Sequence, residues 1–268
     1  MKALIAGWVL AAMSGLCSAE GLIFAISEGS SGGTDHARVI AKYSGLADVL
    51  AKTMKQSVQV VFIREFSALE SGLQEGRFDF AMARPSDYPA RGMRDYGYKY
   101  VATAQPDGQC LIVVPKASTL KTVADIKGRK VVTPNPAAYM TKFCEAELRR
   151  NGVDLSKEQV QRVREQGAVI FYVKSGFAEV GAVASYSGVA KTLDADGMRV
   201  LHASVKQPYF PLIAGKKVTS QQVASIQKDL VGLTASDAGQ GVLKQIGIKG
   251  FDTTTEPKLR ELLAWLGL

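Results

Sequence analysis

The chain has 268 residues, 47% hydrophobic and 22% charged, with 33 lysines and arginines against 25 acids and a net charge of +8. That length and balance are those of an ordinary globular protein with one large domain or two lobes. No stretch beyond the first residues approaches the roughly 20 apolar residues needed to span a bilayer. No dense basic run points to nucleic acid, so the positive surplus suits either a small anion or a merely basic surface.

The first nineteen residues read as a secretory signal: Lys2 in the n-region, an apolar run from Leu4 to Leu16, and Cys17-Ser18-Ala19 with small residues at the cut. Cleavage is expected after Ala19 (a lipidated Cys17 is the rival, but Leu16 stands where such a signal needs a small side chain). The strand Leu22 to Ser27 ends in Glu28-Gly29-Ser30-Ser31-Gly32-Gly33, and Thr34 or Asp35 can cap a helix with Ile40, Tyr43, Ala47, Leu50 and Met54 at helical spacing. Val58 to Ile63 follows as a strand, Ser67-Ala68-Leu69-Glu70 as a capping box for a helix that Gly76 stops, and Phe78 to Ala83 as a third strand. Strand, helix, strand, helix, strand predicts a parallel sheet with right-handed crossovers.

The alternation resumes with strands at Leu111 to Val114 and Lys130 to Thr133, separated by a short helix at Thr122 to Gly128. Thr141 to Asn151 reads as a helix, and Val169 to Val173, Val180 to Ala184 and Arg199 to Leu201 as strands. Three late helices follow: one from the box Thr219-Ser220-Gln221-Gln222, one over Gly239 to Ile246, and one from Pro257 to Trp265. No linker interrupts this pattern, so the reading is α/β, with two lobes joined by strands. In such sheets ligands settle beyond the carboxyl ends of strands, and a lobe interface adds a cleft.

Cys110 and Cys144 remain once the signal carrying Cys17 is removed. An even count in an exported protein predicts a disulfide, with buried free thiols or a ligand contact as alternatives. His36 and His202 lack the close spacing of a metal site, and no cofactor is expected. No Gly-x-Ser-x-Gly elbow, phosphate loop or His-Glu-x-x-His is present, which speaks against an enzyme.

Five segments in order carry a resemblance. They are Tyr43 to Leu50, Ser67 to Asp79 ending Leu73-Gln74-Glu75-Gly76-Arg77-Phe78-Asp79, Ser86-Asp87-Tyr88, Asp125-Ile126-Lys127-Gly128-Arg129-Lys130, and Gly239 to Phe251. Together the chain resembles the phosphate/phosphite/phosphonate-type substrate-binding proteins of ABC importers, within the type II periplasmic-binding-protein fold. The resemblance implies a periplasmic, monomeric receptor that closes on a small oxyanion for an ABC permease; with the interrupted alternation, the family's chain path implies lobes of residues 20–103 plus 209–268 and 104–208. A minority branch implies an alternative, an arsenite-type sensor that signals to a membrane histidine kinase. Where the family carries a serine- and threonine-rich loop, this chain has Asn135-Pro136-Ala137-Ala138-Tyr139-Met140-Thr141, and after the third strand it has Ala83-Arg84-Pro85.

The candidate ligand residues follow from position. Ser27, Glu28, Ser30, Ser31 and Thr34 lie in a loop before a helix, where amide donors and the dipole favour an anion; an ordinary turn is the plain alternative. Arg84 lies immediately after a buried strand and offers a planar fork to oxyanions, or else is a solvated charge or an ion pair with Asp87. Tyr139 and Thr141, then Ser185 and Tyr186, occupy the corresponding loops of the second lobe, while Tyr88 suits either site or core.

Overall fold

A computed structural model describes residues 21–29 and 35–268. The secretory signal over 1–19 and the candidates Ser30, Ser31 and Thr34 lie outside the described residues. The first unit runs β1 (Leu22–Glu28), α1 (His36–Met54), β2 (Val58–Phe62), α2 (Phe66–Gln74), β3 (Phe80–Arg84), α3 (Asp87–Asp95) and β4 (Lys99–Gln105). The chain then crosses into β5 (Cys110–Pro115), β6 (Lys130–Thr133), α4 (Tyr139–Arg150), β7 (Gln159–Arg162), α5 (Gln166–Lys174), β8 (Val180–Ala184) and β9 (Met198–Ala203). It returns through β10 (Pro211–Ala214), α6 (Ser220–Gly232), α7 (Asp237–Ile246), β11 (Gly250–Asp252) and α8 (Glu256–Leu266).

Two sheets result, one ordered β11-β4-β10-β3-β1-β2 and the other β7-β6-β8-β5-β9. Strand β1 lies parallel between β2 and β3, and β6 parallel between β7 and β8, as β-α-β crossovers require. The strands beside the two crossings, β4, β5, β9 and β10, pair antiparallel, so each sheet is mixed rather than parallel throughout. Of these, β5 and β9 match strands the sequence predicts, whereas β4 and β10, along with α3, β7 and β11, carry no clear period in it.

Packing follows the two periods. In α1, Asp35 caps the helix by accepting from the Ala37 amide at 2.9 Å, and Val39, Tyr43, Leu46, Ala47 and Leu50 face inward. Ile40, expected inside, is 42% exposed, because Val39 and Leu46 take the inner stripe. In the second sheet successive residues part to opposite faces. Ile112, Val114, Val131, Ala182 and Ala184 join the large core that continues under α4 into the first lobe. Val113, Val132 and Val183 instead pack under α5.

Two local expectations are corrected. Val169 to Val173 is not a strand but the body of α5, with Val169, Ile170 and Val173 buried on one face and Phe171 left 58% exposed. The β-branched run favoured a strand, but that preference is weak where a helix can bury the same residues against a sheet. Gly181 in β8 admits the helix, since a Cβ there would lie 2.7 Å from Val169. Helix α2 starts at Phe66 after Glu65, with no capping box at Ser67. Phe66 stacks on Tyr88, and Glu70 accepts from Tyr96 Oη at 2.7 Å instead of closing a box. The box at Thr219 is real, with Thr219 Oγ1 and Gln222 Oε1 each accepting the other's amide.

Cys110 and Cys144 are bonded, Cα atoms 5.3 Å apart, tying the start of β5 to α4. Both are fully buried and close a loop with a sequence separation of 34. By loop-closure entropy, replacing both with alanine should lower unfolding stability by about 3–4 kcal/mol, read by urea titration.

Candidate functional site

Parallel pairing sets Glu28, the last residue of β1, beside Arg84, the last residue of β3. Both therefore emerge at carboxyl ends of strands. Glu28 Oε1 accepts from Lys42 Nζ at 2.5 Å and from Tyr43 Oη at 2.6 Å, and Arg84 approaches the same oxygen only to 3.8 Å. Burial alone would push the Glu28 carboxyl up, but the bonds from Lys42 and Tyr43, with the Arg84 charge, hold it below its ordinary 4.5.

The Arg84 guanidinium is boxed by aromatic rings, 4.6 Å from Phe210, 5.2 Å from Tyr186 and 5.9 Å from Tyr209. Its side chain is 13% exposed, and its buried Nε has no hydrogen-bond partner among the described residues. Behind it, Ser27 Oγ donates to the Arg84 carbonyl at 3.3 Å. Tyr186, after β8, stacks on Tyr209, before β10, with centroids 4.4 Å apart, so the box spans both lobes. Gly108 lets the crossing chain pass this stack, since a Cβ there would meet Tyr209 at 2.7 Å. Burial pushes Tyr186 up to about 12 and also raises Tyr209, so both hydroxyls stay protonated donors near neutrality.

Beside this box lies a cavity of about 380 Å³. Glu28, Lys42 and Arg84 form one wall; Glu165 to Gly167 at the start of α5 and Ser187 to Val189 after β8 form the other. Gln166 is held there by the Ala184 amide, which donates to its Oε1 at 2.7 Å. Among the described residues no cluster of histidine, cysteine or acids could hold a metal ion, and no helix is long and apolar enough to cross a membrane.

A second polar contact joins the lobes. Lys142 of α4 donates to buried Asp87 of α3 at 2.8 Å, and Arg91 lies 3.6 Å from the same oxygen. Tyr88 stacks on Phe66 with Arg91 and Lys142 over its ring, and Phe143 meets Trp265 of α8 at 4.7 Å. Asp87 Oδ1, Ser86 Oγ and Thr141 Oγ1 are buried here without hydrogen-bond partners among the described residues.

Of the sequence candidates, Glu28, Arg84 and Tyr186 come together at the cavity, with Ser27 buried behind them. Arg84 is neither a solvated charge nor the partner of Asp87; it sits against Glu28, while Asp87 serves Lys142 and Arg91. Tyr88 and Thr141 belong to the seam between α3 and α4, and Tyr139 is the first residue of α4. Ser185 Oγ accepts from the Gln109 amide at 3.0 Å, a fold contact. Lys42, Gln166, Ser187, Tyr209 and Phe210 were missed. Lys42 could have been found beside inward Tyr43, whereas Gln166 was hidden by reading α5 as a strand, and Tyr209-Phe210 carries no motif.

Two α/β lobes crossed twice by the chain, with a polar cavity at carboxyl ends of strands from both, have the architecture of periplasmic binding proteins. The family model for "ABC transporter, phosphonate, periplasmic substrate-binding protein" matches residues 33–258, and the chain belongs to that family. Among solved structures, XAC2383 from Xanthomonas citri bound to ATP superposes with TM-score 0.73 at 15% identity, covering 92% of this chain and 96% of that one. PhnD1 from Prochlorococcus marinus in complex with methylphosphonate gives TM-score 0.70 at 11% identity, covering 91% and 96%. The aliphatic sulphonate binding protein SsuA from Escherichia coli gives 0.61 at 19%, covering 92% and 79%. At these identities the structures establish shared fold.

Two outcomes follow from this geometry. Because the folded Glu28 carboxyl lies below its ordinary value, its contribution is present above that value and is lost as pH falls through the folded one. Glu28→Gln should therefore melt lower than the parent at neutral pH, with the gap closing on acidification through the carboxylate range. Lys142→Ala, which strips buried Asp87 of its nearest cation, should cost roughly 1–3 kcal/mol. It should also enlarge the radius of gyration in X-ray scattering as the lobes part.

Proposed function

We propose that this protein is exported by cleavage after Ala19, captures a small oxyanion of the phosphonate or phosphate type between its lobes, and delivers it to an ABC permease. Arg84 carries this reading. It is a guanidinium fixed by three rings at the cavity wall, whose neighbouring carboxylate is already bonded to Lys42 and Tyr43, and whose buried Nε has no described partner. Such a group favours an anion that takes its donors in the planar geometry of a fork. Family membership supports the transport role. The lobes would divide as 20–103 plus 209–268 and 104–208, hinging where the chain crosses, and would close because groups from both sides border the ligand.

A free thiol at the cleft would favour the arsenite-sensing alternative; Cys110 and Cys144 are instead bonded to each other and fully buried, so neither lends it support.

Arg84→Ala should weaken binding of the transported anion by roughly 2–4 kcal/mol, since a desolvated charge partner is removed. Arg84→Lys should recover only part, lacking the planar fork. Calorimetry with methylphosphonate and inorganic phosphate measures both; equal binding by Arg84→Ala and the parent would overturn the assignment.

A further inference from the structure

The size and bareness of the cavity deepen the oxyanion reading, on which this inference rests. A volume of about 380 Å³ is room for about a dozen waters at their liquid volume, and a bare tetrahedral oxyanion would displace only a few of them. The remaining wall is mixed: Glu165, Gln166 and Ser187 line it together with Val189 and with the largely covered Tyr209 and Ile248.

Two glycines in that wall are unexplained by the fold. Gly167 stands in the first turn of α5 and Gly188 has φ −57° and ψ −41°, so neither needs the left-handed region. A Cβ built on either meets no heavy atom of the described residues within 4 Å, so packing among them requires neither. Glycine in a helical turn loses backbone entropy to no structural benefit, yet both residues border the cavity. Gly241 shares this freedom in α7, away from the cavity, and provides a control.

We infer that the ligand is an organic oxyanion whose apolar body is at least as large as an aromatic ring, its acid group on Arg84 and its body over the bare backbone of Gly167 and Gly188. Those two positions set the size of the ligand that fits. Carbon surface at Val189, with the little that Tyr209 and Ile248 leave uncovered, supplies the dispersion and burial that a methyl group is too small to use.

Calorimetry on the full mature chain with inorganic phosphate, methylphosphonate and phenylphosphonate tests it. Phenylphosphonate should bind about tenfold or more tighter than either small anion. Gly188→Leu and Gly167→Leu should weaken phenylphosphonate by about tenfold while changing the small anions about twofold or less. Both variants should melt no lower than the parent, and Gly241→Ala should bind like it. If the small anions bind as tightly as phenylphosphonate in an Arg84-dependent manner, or if the leucine variants leave phenylphosphonate unchanged, the size inference falls and the oxyanion reading stands. If none of the three binds the parent, the oxyanion reading itself falls, and the size inference with it.

Discussion

Burying the Arg84 guanidinium among Phe210, Tyr186 and Tyr209, next to a carboxylate shared with Lys42 and Tyr43, governs the residues around the cleft. A charge taken out of water is expensive unless rings, dipoles or an opposite charge replace the hydration it loses. Here three rings cover its faces and Glu28 stands at 3.8 Å, too far for a tight pair. The arrangement positions the guanidinium while its Nε has no hydrogen-bond partner among the described residues. On the function proposed for Arg84, little would have to be broken before a ligand's oxygens replaced water there.

The rings doing this come from both lobes, so the setting of Arg84 depends on how the two lobes meet. Tyr186 follows β8 in the second sheet and Tyr209 precedes β10 in the first, and they stack across the divide beside Gly108. The contact between Asp87 and Lys142 and the ring pair Phe143 and Trp265 are further bonds across the same divide. The disulfide holds α4, which supplies Lys142 and Phe143, to the strand that begins at the crossing.

Polar atoms with no hydrogen-bond partner among the described residues gather at that meeting as well. Ser86 Oγ, Asp87 Oδ1 and Thr141 Oγ1 lie on residues adjoining or forming the Asp87–Lys142 contact, and each is buried. A buried polar group without a partner costs its lost hydration. The seam between α3 and α4 therefore joins its helices by charge while carrying a cost of burial, which suits the lobe separation that the proposed function calls for.

The sequence by itself determined the alternation of elements and much of what it implies. The spacing in α1, the box at Thr219, the cysteine parity and the placing of Glu28 and Arg84 directly after apolar runs are local patterns, and local patterns are written in neighbouring residues. Tertiary structure alone decided the rest. Val169 to Val173 became helical because β8, far along the chain and thinned by Gly181, offered a face on which Val169, Ile170 and Val173 could be buried together. Lys42, Gln166, Ser187, Tyr209 and Phe210 reached the cavity from four separate segments, and no period or motif links them. Arg84 found Glu28 rather than Asp87 because strand pairing, not sequence distance, sets which side chains are neighbours at a sheet's edge.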